Sequence, residues 1–181
     1  GYHFSRKLQN VYNPFSVLNA LSRSQLNSYW IATGSNEILN NLSKKYVDEI
    51  PSLDGCLIDA DYLEMSDVNM EEPKLFLYQS GYLTIKAVRG DYYILGYPNK
   101  EVKKAMFEMV LPMMTNKSSS EVNTLIQKLK LNLCIGNVDE AMLCLKGLVA
   151  GTPYSILKRE QFVFEEHFRF ILKNIFYLCG F

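Results

Sequence analysis

The chain has 181 residues, 48% of them hydrophobic and 21% charged, and its nineteen Lys and Arg are balanced by nineteen Asp and Glu. This is the composition of a globular chain with material for one ordinary domain or two small ones, and it excludes a low-complexity or disordered polymer. Zero formal charge also sets it apart from dedicated nucleic-acid binders, which carry a basic excess, so any such role must come from a local patch.

No apolar run approaches the roughly 18–20 residues of a membrane span. Gly1-Tyr2-His3-Phe4 has neither the basic start nor the apolar run of a signal peptide. The missing initiator Met reads as the mark of an excised fragment, although a trimmed tag would leave the same Gly. Four cysteines stand at 56, 134, 144 and 179 with no C-x-x-C pair. They are expected to be buried free thiols in a reducing cytoplasm, with a Cys134–Cys144 disulfide as the alternative.

In chain order, Asn13-Pro14 supplies an N-cap and a first-turn proline, and Phe15, Leu18 and Leu21 fall on one face of the helix that follows. A second helix is expected near Ser35, with Ile38, Leu39, Leu42 and Tyr46 as its stripe. Trp30 is read as an anchor between the two, so residues 1–48 form a small helical subdomain. Residues 50–72 read as turns around one short helix.

Leu75–Val102 carries the strongest local signals. Pro73 suits a helix start and Gly81 a helix exit with positive φ. Leu83, Ile85 and Ala87 alternate with Tyr82, Thr84 and Lys86 as a half-buried strand. Arg89-Gly90-Asp91 is the turn, Tyr92–Gly96 the returning strand, and Asn99 caps the next helix. Val102, Met106, Met109 and Val110 line that helix, and the module is expected to run to Pro112. A helix followed by a β-hairpin suggests a winged-helix-like module over 49–114, with 115–120 as a linker.

The last third, 121–181, reads as helical. Val122, Leu125, Ile126, Leu129 and Leu133 share one face. Gly136 and Asn137 turn the chain into a second helix faced by Ala141, Met142, Leu145, Leu148 and Val149, giving an αα-hairpin. Gly151 and Pro153 stop it. A terminal helix over Gln161–Cys179 presents Phe164, Phe168, Ile171, Leu172, Ile175 and Leu178. The fold class is thus mostly α within α+β.

Reactive patterns are scarce. Neither G-x-x-x-x-G-K-[ST] nor G-x-G-x-x-G occurs, and no G-x-S-x-G elbow accompanies the serines. His3 and His167 have no clustered Cys and read as surface or boundary residues. Asp139/Glu140 suits a helix start. Glu165/Glu166 is read as opening the terminal helix. Lys100, Lys103 and Lys104 share one side of the post-hairpin helix. A solvated face explains them; phosphate contacts become the alternative if Lys86 and Arg89 join them. Tyr82, Tyr92 and Tyr93 read as core and pairing residues rather than a base-stacking platform.

Several strings occur in a particular order: Gly1-Tyr2-His3-Phe4-Ser5, Val11-Tyr12-Asn13-Pro14-Phe15-Ser16, Tyr29-Trp30-Ile31-Ala32-Thr33-Gly34, Gln79-Ser80-Gly81-Tyr82-Leu83-Thr84-Ile85 and Leu95-Gly96-Tyr97-Pro98-Asn99-Lys100-Glu101-Val102. Together they resemble bacterial AAA-ATPase-like proteins fused to a C-terminal PD-(D/E)XK nuclease-superfamily domain. The resemblance implies that a Walker A loop lies upstream and the metal-binding nuclease strands downstream. Of the nuclease residues only an acidic position in the first helix carries over, onto Glu165. ATP and a divalent metal are thereby implied for the parent and no cofactor for this stretch.

The resulting expectation is a non-enzymatic, cytoplasmic coupling segment between an ATPase core and a nuclease-like effector domain, its intramolecular partners. A DNA-binding winged-helix module using Lys86, Arg89, Lys100, Lys103 and Lys104 is the alternative, and a helical protein-interaction adaptor on the 121–150 hairpin a third. The terminal helix is a candidate for homo-oligomer contacts.

Overall fold

In the computed structural model, residues 1–25, 27, 29, 49–65, 72–152 and 161–181 are described. The expected Ser35 helix and the Trp30 anchor lie outside them. The chain is mostly helical, with one small antiparallel sheet, and divides into two compact units, 1–106 and 107–181.

The first unit opens with an N-terminal loop closed by a bridge between Tyr2 and Val11, whose backbone groups exchange hydrogen bonds of 3.1 and 2.9 Å. Helix α1, Pro14–Arg23, starts where Asn13 Oδ1 accepts from the Ser16 N–H at 3.1 Å. Its apolar stripe is as expected in sequence, but none of its residues is buried: Leu18 is 65% and Leu21 71% exposed.

Residues 50–65 hold the expected short helix together with a strand that their turn-rich sequence does not suggest. A 3₁₀ turn, Ile50–Ser52, leads to strand β1, Leu57–Asp59, and then to the short helix α2, Ala60–Met65. A strand of three residues between turn formers has too little periodicity to be read locally. Pairing with a distant strand makes it: Leu57, Ile58 and Asp59 face Ile94, Tyr93 and Tyr92.

Helix α3, Pro73–Gln79, leaves through Gly81 at φ 80° as expected. Strands β2, Thr84–Arg89, and β3, Tyr92–Gly96, form the hairpin, and the sheet order is β1-β3-β2. The two-residue turn places Gly90 at φ 59°, the sign a type II′ turn requires at its first central residue. Two details differ from the expected half-buried strand. Tyr82 and Thr84, on the face expected outward, are buried. Lys86 sits at a β-bulge between Ile85 and Ala87, with no partner opposite it in the ladder. Leu53, Leu75, Leu83, Ile85, Tyr93 and Leu95 are almost fully enclosed.

Helix α4, Lys100–Thr115, begins under the Asn99 cap, whose Oδ1 accepts from the Val102 N–H at 2.9 Å. It runs to Thr115, the residue at which the expected linker begins. Pro112 removes one hydrogen bond there but falls in the last turn, where little helix remains to be broken. Its later part belongs to the second unit, with Phe107, Val110, Leu111 and Met114 enclosed.

A short connection then enters α5, Ser119–Cys134, through a complete capping box between Ser118 and Glu121. Gly136, at φ 76°, and the Asn137 cap turn the chain into α6, Val138–Val149. The expected αα-hairpin is present: Val122, Ile126 and Leu129 meet a face made by Ala141, Cys144 and Leu148. Met142, expected inward, is 57% exposed, and Cys144 takes its place. In α7, Gln161–Cys179, the buried side is His167, Phe170, Ile171, Asn174, Ile175 and Cys179. Phe168, Leu172 and Leu178 are half-buried, so the covered face is turned from the one the apolar stripe suggests. Phe107 supplies the reason, because it packs edge-on against Phe170 and Tyr177 at 5.7 and 5.2 Å.

Candidate functional site

His3 is fixed to the start of β2. The His3 N–H donates to Thr84 Oγ1 at 2.6 Å, and that hydroxyl donates back to the His3 carbonyl at 2.8 Å. Ile85 N–H donates to the same carbonyl at 3.2 Å. The His3 ring spans the Ile85 carbonyl and Asn10 Oδ1, 3.0 and 2.8 Å from Nδ1 and Nε2. This segment therefore covers the edge strand, and Thr84 is buried because it is part of that attachment. Tyr2 stacks on Phe4, which meets Tyr78 of α3 edge-on.

Arg6 reaches the hairpin. Its guanidinium lies 6.0 Å from the Tyr93 ring centre and 4.0 Å from the Asp91 carboxylate. The buried Tyr93 hydroxyl donates to Glu64 Oε1 of α2. Burial first, and then the bond to Glu64, raise the Tyr93 pKa, while Arg6 opposes both. The motif-based reading missed this Arg6–Tyr93–Glu64 chain because its members belong to three separated segments.

The expected basic face is divided. Lys86 is exposed at the bulge, Arg89 is exposed beside the turn, and Lys100 and Lys104 are exposed on α4. Lys103 is engaged: its Nζ donates to Asp54 Oδ2 at 3.0 Å and lies 5.6 Å from the Tyr97 ring centre. Gly96 joins Lys86 to this group, since a Cβ there would lie 3.0 Å from both Lys86 Cγ and Asp54 Oδ1. The Lys86 stem and the Asp54 carboxylate that holds Lys103 thus both border Gly96. Asp54 had no sequence signal, being 49 positions from Lys103.

A cavity of about 300 Å³ opens between the N-terminal loop, α1 and the start of α4. Tyr2, Val11, Val17, Ala20 and Tyr29 give it an apolar lining, and Glu101 places a carboxylate on its wall. The Tyr2 hydroxyl is buried without a hydrogen-bond partner among the described residues. Burial, then Glu101 and Tyr82, push its pKa up to about 12, so the phenol stays neutral.

Glu165 is exposed in α7, but the helix begins at Gln161, so Glu165 lies a turn inside rather than at the start. His167, read as a surface or boundary residue, is buried. All four cysteines are free thiols. Cys144 and Cys179 are buried as expected, and Cys134 is exposed at the end of α5. Burial pushes the Cys56 and Cys179 thiols up. Among the described residues no group of three or more His, Cys, Asp or Glu is arranged to hold a metal ion, and no helix is long and apolar enough to cross a membrane.

No family model matches the chain, and no solved structure matches it. The chain is 30% identical over 115 residues to a protein of Azotobacter chroococcum mcd 1 described as "Uncharacterized protein in vnfD 5'region". The match takes in 61% of this chain and 22% of that protein, so the chain spans under a quarter of its relative.

Proposed function

We propose that this chain is a non-catalytic coupling segment of a longer AAA-ATPase-like protein, linking an ATPase core to a nuclease-like effector domain. The observation that carries this reading is the uncovered face of α1. A well-capped amphipathic helix whose Phe15, Leu18 and Leu21 are 43%, 65% and 71% exposed is built to meet something. Burying each such side chain is worth roughly 1.5–3 kcal/mol, so a neighbouring domain gains by covering them. The order β1, α2, α3, β2, β3, with β1 paired to β3, supports a winged-helix-like module as the rigid part.

Two features favour coupling over duplex recognition. The outer side of α3 bears Tyr78, over which Phe4 packs, and Lys103 is engaged with Asp54. The DNA-binding alternative keeps Lys86, Arg89, Lys100 and Lys104, whose exposure is what it needs. Filter binding of duplex DNA across a salt series separates the two. Coupling predicts no retention at physiological salt. A salt-sensitive affinity weakened by Lys86→Glu and Arg89→Glu would favour the alternative. Incubating the chain with ATP or DNA and a divalent metal tests the non-catalytic part, for which the expected turnover is none.

A further inference from the structure

We propose that the outer face of α6 is a self-association surface on which a second copy of this chain docks antiparallel. Asp139, Met142, Leu143 and Lys146 are all exposed, and their spacing of i, i+3, i+4 and i+7 places them on one side of the helix. That side is turned away from Ala141, Cys144 and Leu148, which pack toward α5. Met142 and Leu143 are 57% and 59% exposed, and Val138, 63% exposed, extends the apolar strip toward the hairpin tip.

The order acid, apolar, apolar, base is what selects the occupant. A two-fold axis between Met142 and Leu143 lays the apolar pair on its own copy. It sets Asp139 of each chain against Lys146 of the other, so both charges are answered twice by one operation. Parallel packing would oppose Asp139 to Asp139 and Lys146 to Lys146, which disfavours it. A uniformly acidic or basic partner would satisfy one end and repel the other. The face is smaller than a standard interface, so the expected dimer is weak, with a dissociation constant of about 100 μM. This inference goes beyond the coupling role and does not depend on it.

Sedimentation velocity of the 181-residue chain, from roughly 5 to 500 μM at low ionic strength, reads it directly. Asp139→Lys and Lys146→Asp are each expected to weaken dimerisation at least about tenfold alone, and to associate with each other when mixed, because the heterodimer has every charge answered. Leu143→Asp is expected to abolish dimers, with Met142→Lys as a second variant should the first misfold by circular dichroism. A monomer at every concentration would overturn the proposal. So would a dimer indifferent to these changes, or one that the mixed pair fails to restore.

Discussion

Gly151 and Thr115 stand so close that a Cβ on the glycine would lie 1.9 Å from the Thr115 carbonyl oxygen and 3.1 Å from its carbon. The obstacle is backbone, and Thr115 is itself buried, with its hydroxyl donating to the Leu111 carbonyl at 2.8 Å. The end of α4 and the exit from α6 therefore meet at a point where no side chain fits. Gly151→Ala is expected to destabilise the second unit by about 2–4 kcal/mol, seen as a lower urea midpoint. An unchanged midpoint would mean that the two segments separate at no cost.

Asn174 predicts a gain. It is fully buried, and among the described residues neither its amide nitrogen nor its oxygen has a hydrogen-bond partner. Each unmade bond costs about 1–3 kcal/mol, so replacing the group by an apolar one of similar size removes a penalty. Asn174→Leu is expected to raise the thermal midpoint. A loss of more than about 1 kcal/mol would show that the amide has a partner in solution.

The N-terminal attachment rests on Thr84. Thr84→Val keeps the shape and loses the hydroxyl that both accepts from and donates to His3. The expected cost is about 1–2 kcal/mol, together with faster proteolytic cleavage within residues 1–10. Equal cleavage rates would place the attachment elsewhere.

Alkali should unfold the first unit as Tyr2, Tyr78 and Tyr82 ionise. Tyr2, Tyr78 and Tyr82 are each pushed up to about 12, by burial foremost in all three; Glu101 and Tyr82 add to the shift at Tyr2, and Tyr93 and Glu64 at Tyr78. An unfolded tyrosine ionises near 10, so the stabilising term is fully present below that pH and is lost as the pH rises from about 10 through 12. The phenolate absorbance of these three tyrosines, read as the difference from their Phe variants, should therefore rise together with the loss of helical circular dichroism. Ionisation of these three near 10 with the fold intact would contradict this. At Tyr2 the hydroxyl also has no partner among the described residues, so Tyr2→Phe should be neutral or stabilising and should shift the alkaline transition upward.

What was legible in the sequence was local. Asn13, Asn99 and Asn137 cap through their own side chains, and Gly81 and Gly136 take the positive φ their positions demand. Each signal sits within a few residues of its effect. The missed elements depend on distant chain. Strand β1 exists through its pairing with β3, and the burial of Thr84 through His3, 81 positions away. The buried side of α7 is set by Phe107 rather than by its own richest stripe. In the candidate site, five basic positions were readable as types, but their division was not. The acid that engages Lys103 comes from a turn whose sequence gives no hint of it.

The most direct test of the coupling account is hydrogen exchange at residues 14–23, compared between this chain alone and the longer protein that the account proposes. With Phe15, Leu18 and Leu21 uncovered, α1 should exchange quickly in isolation. The account predicts at least about tenfold slower exchange there in the longer protein, with a further change when nucleotide is added. Identical exchange in both, with or without nucleotide, would contradict it.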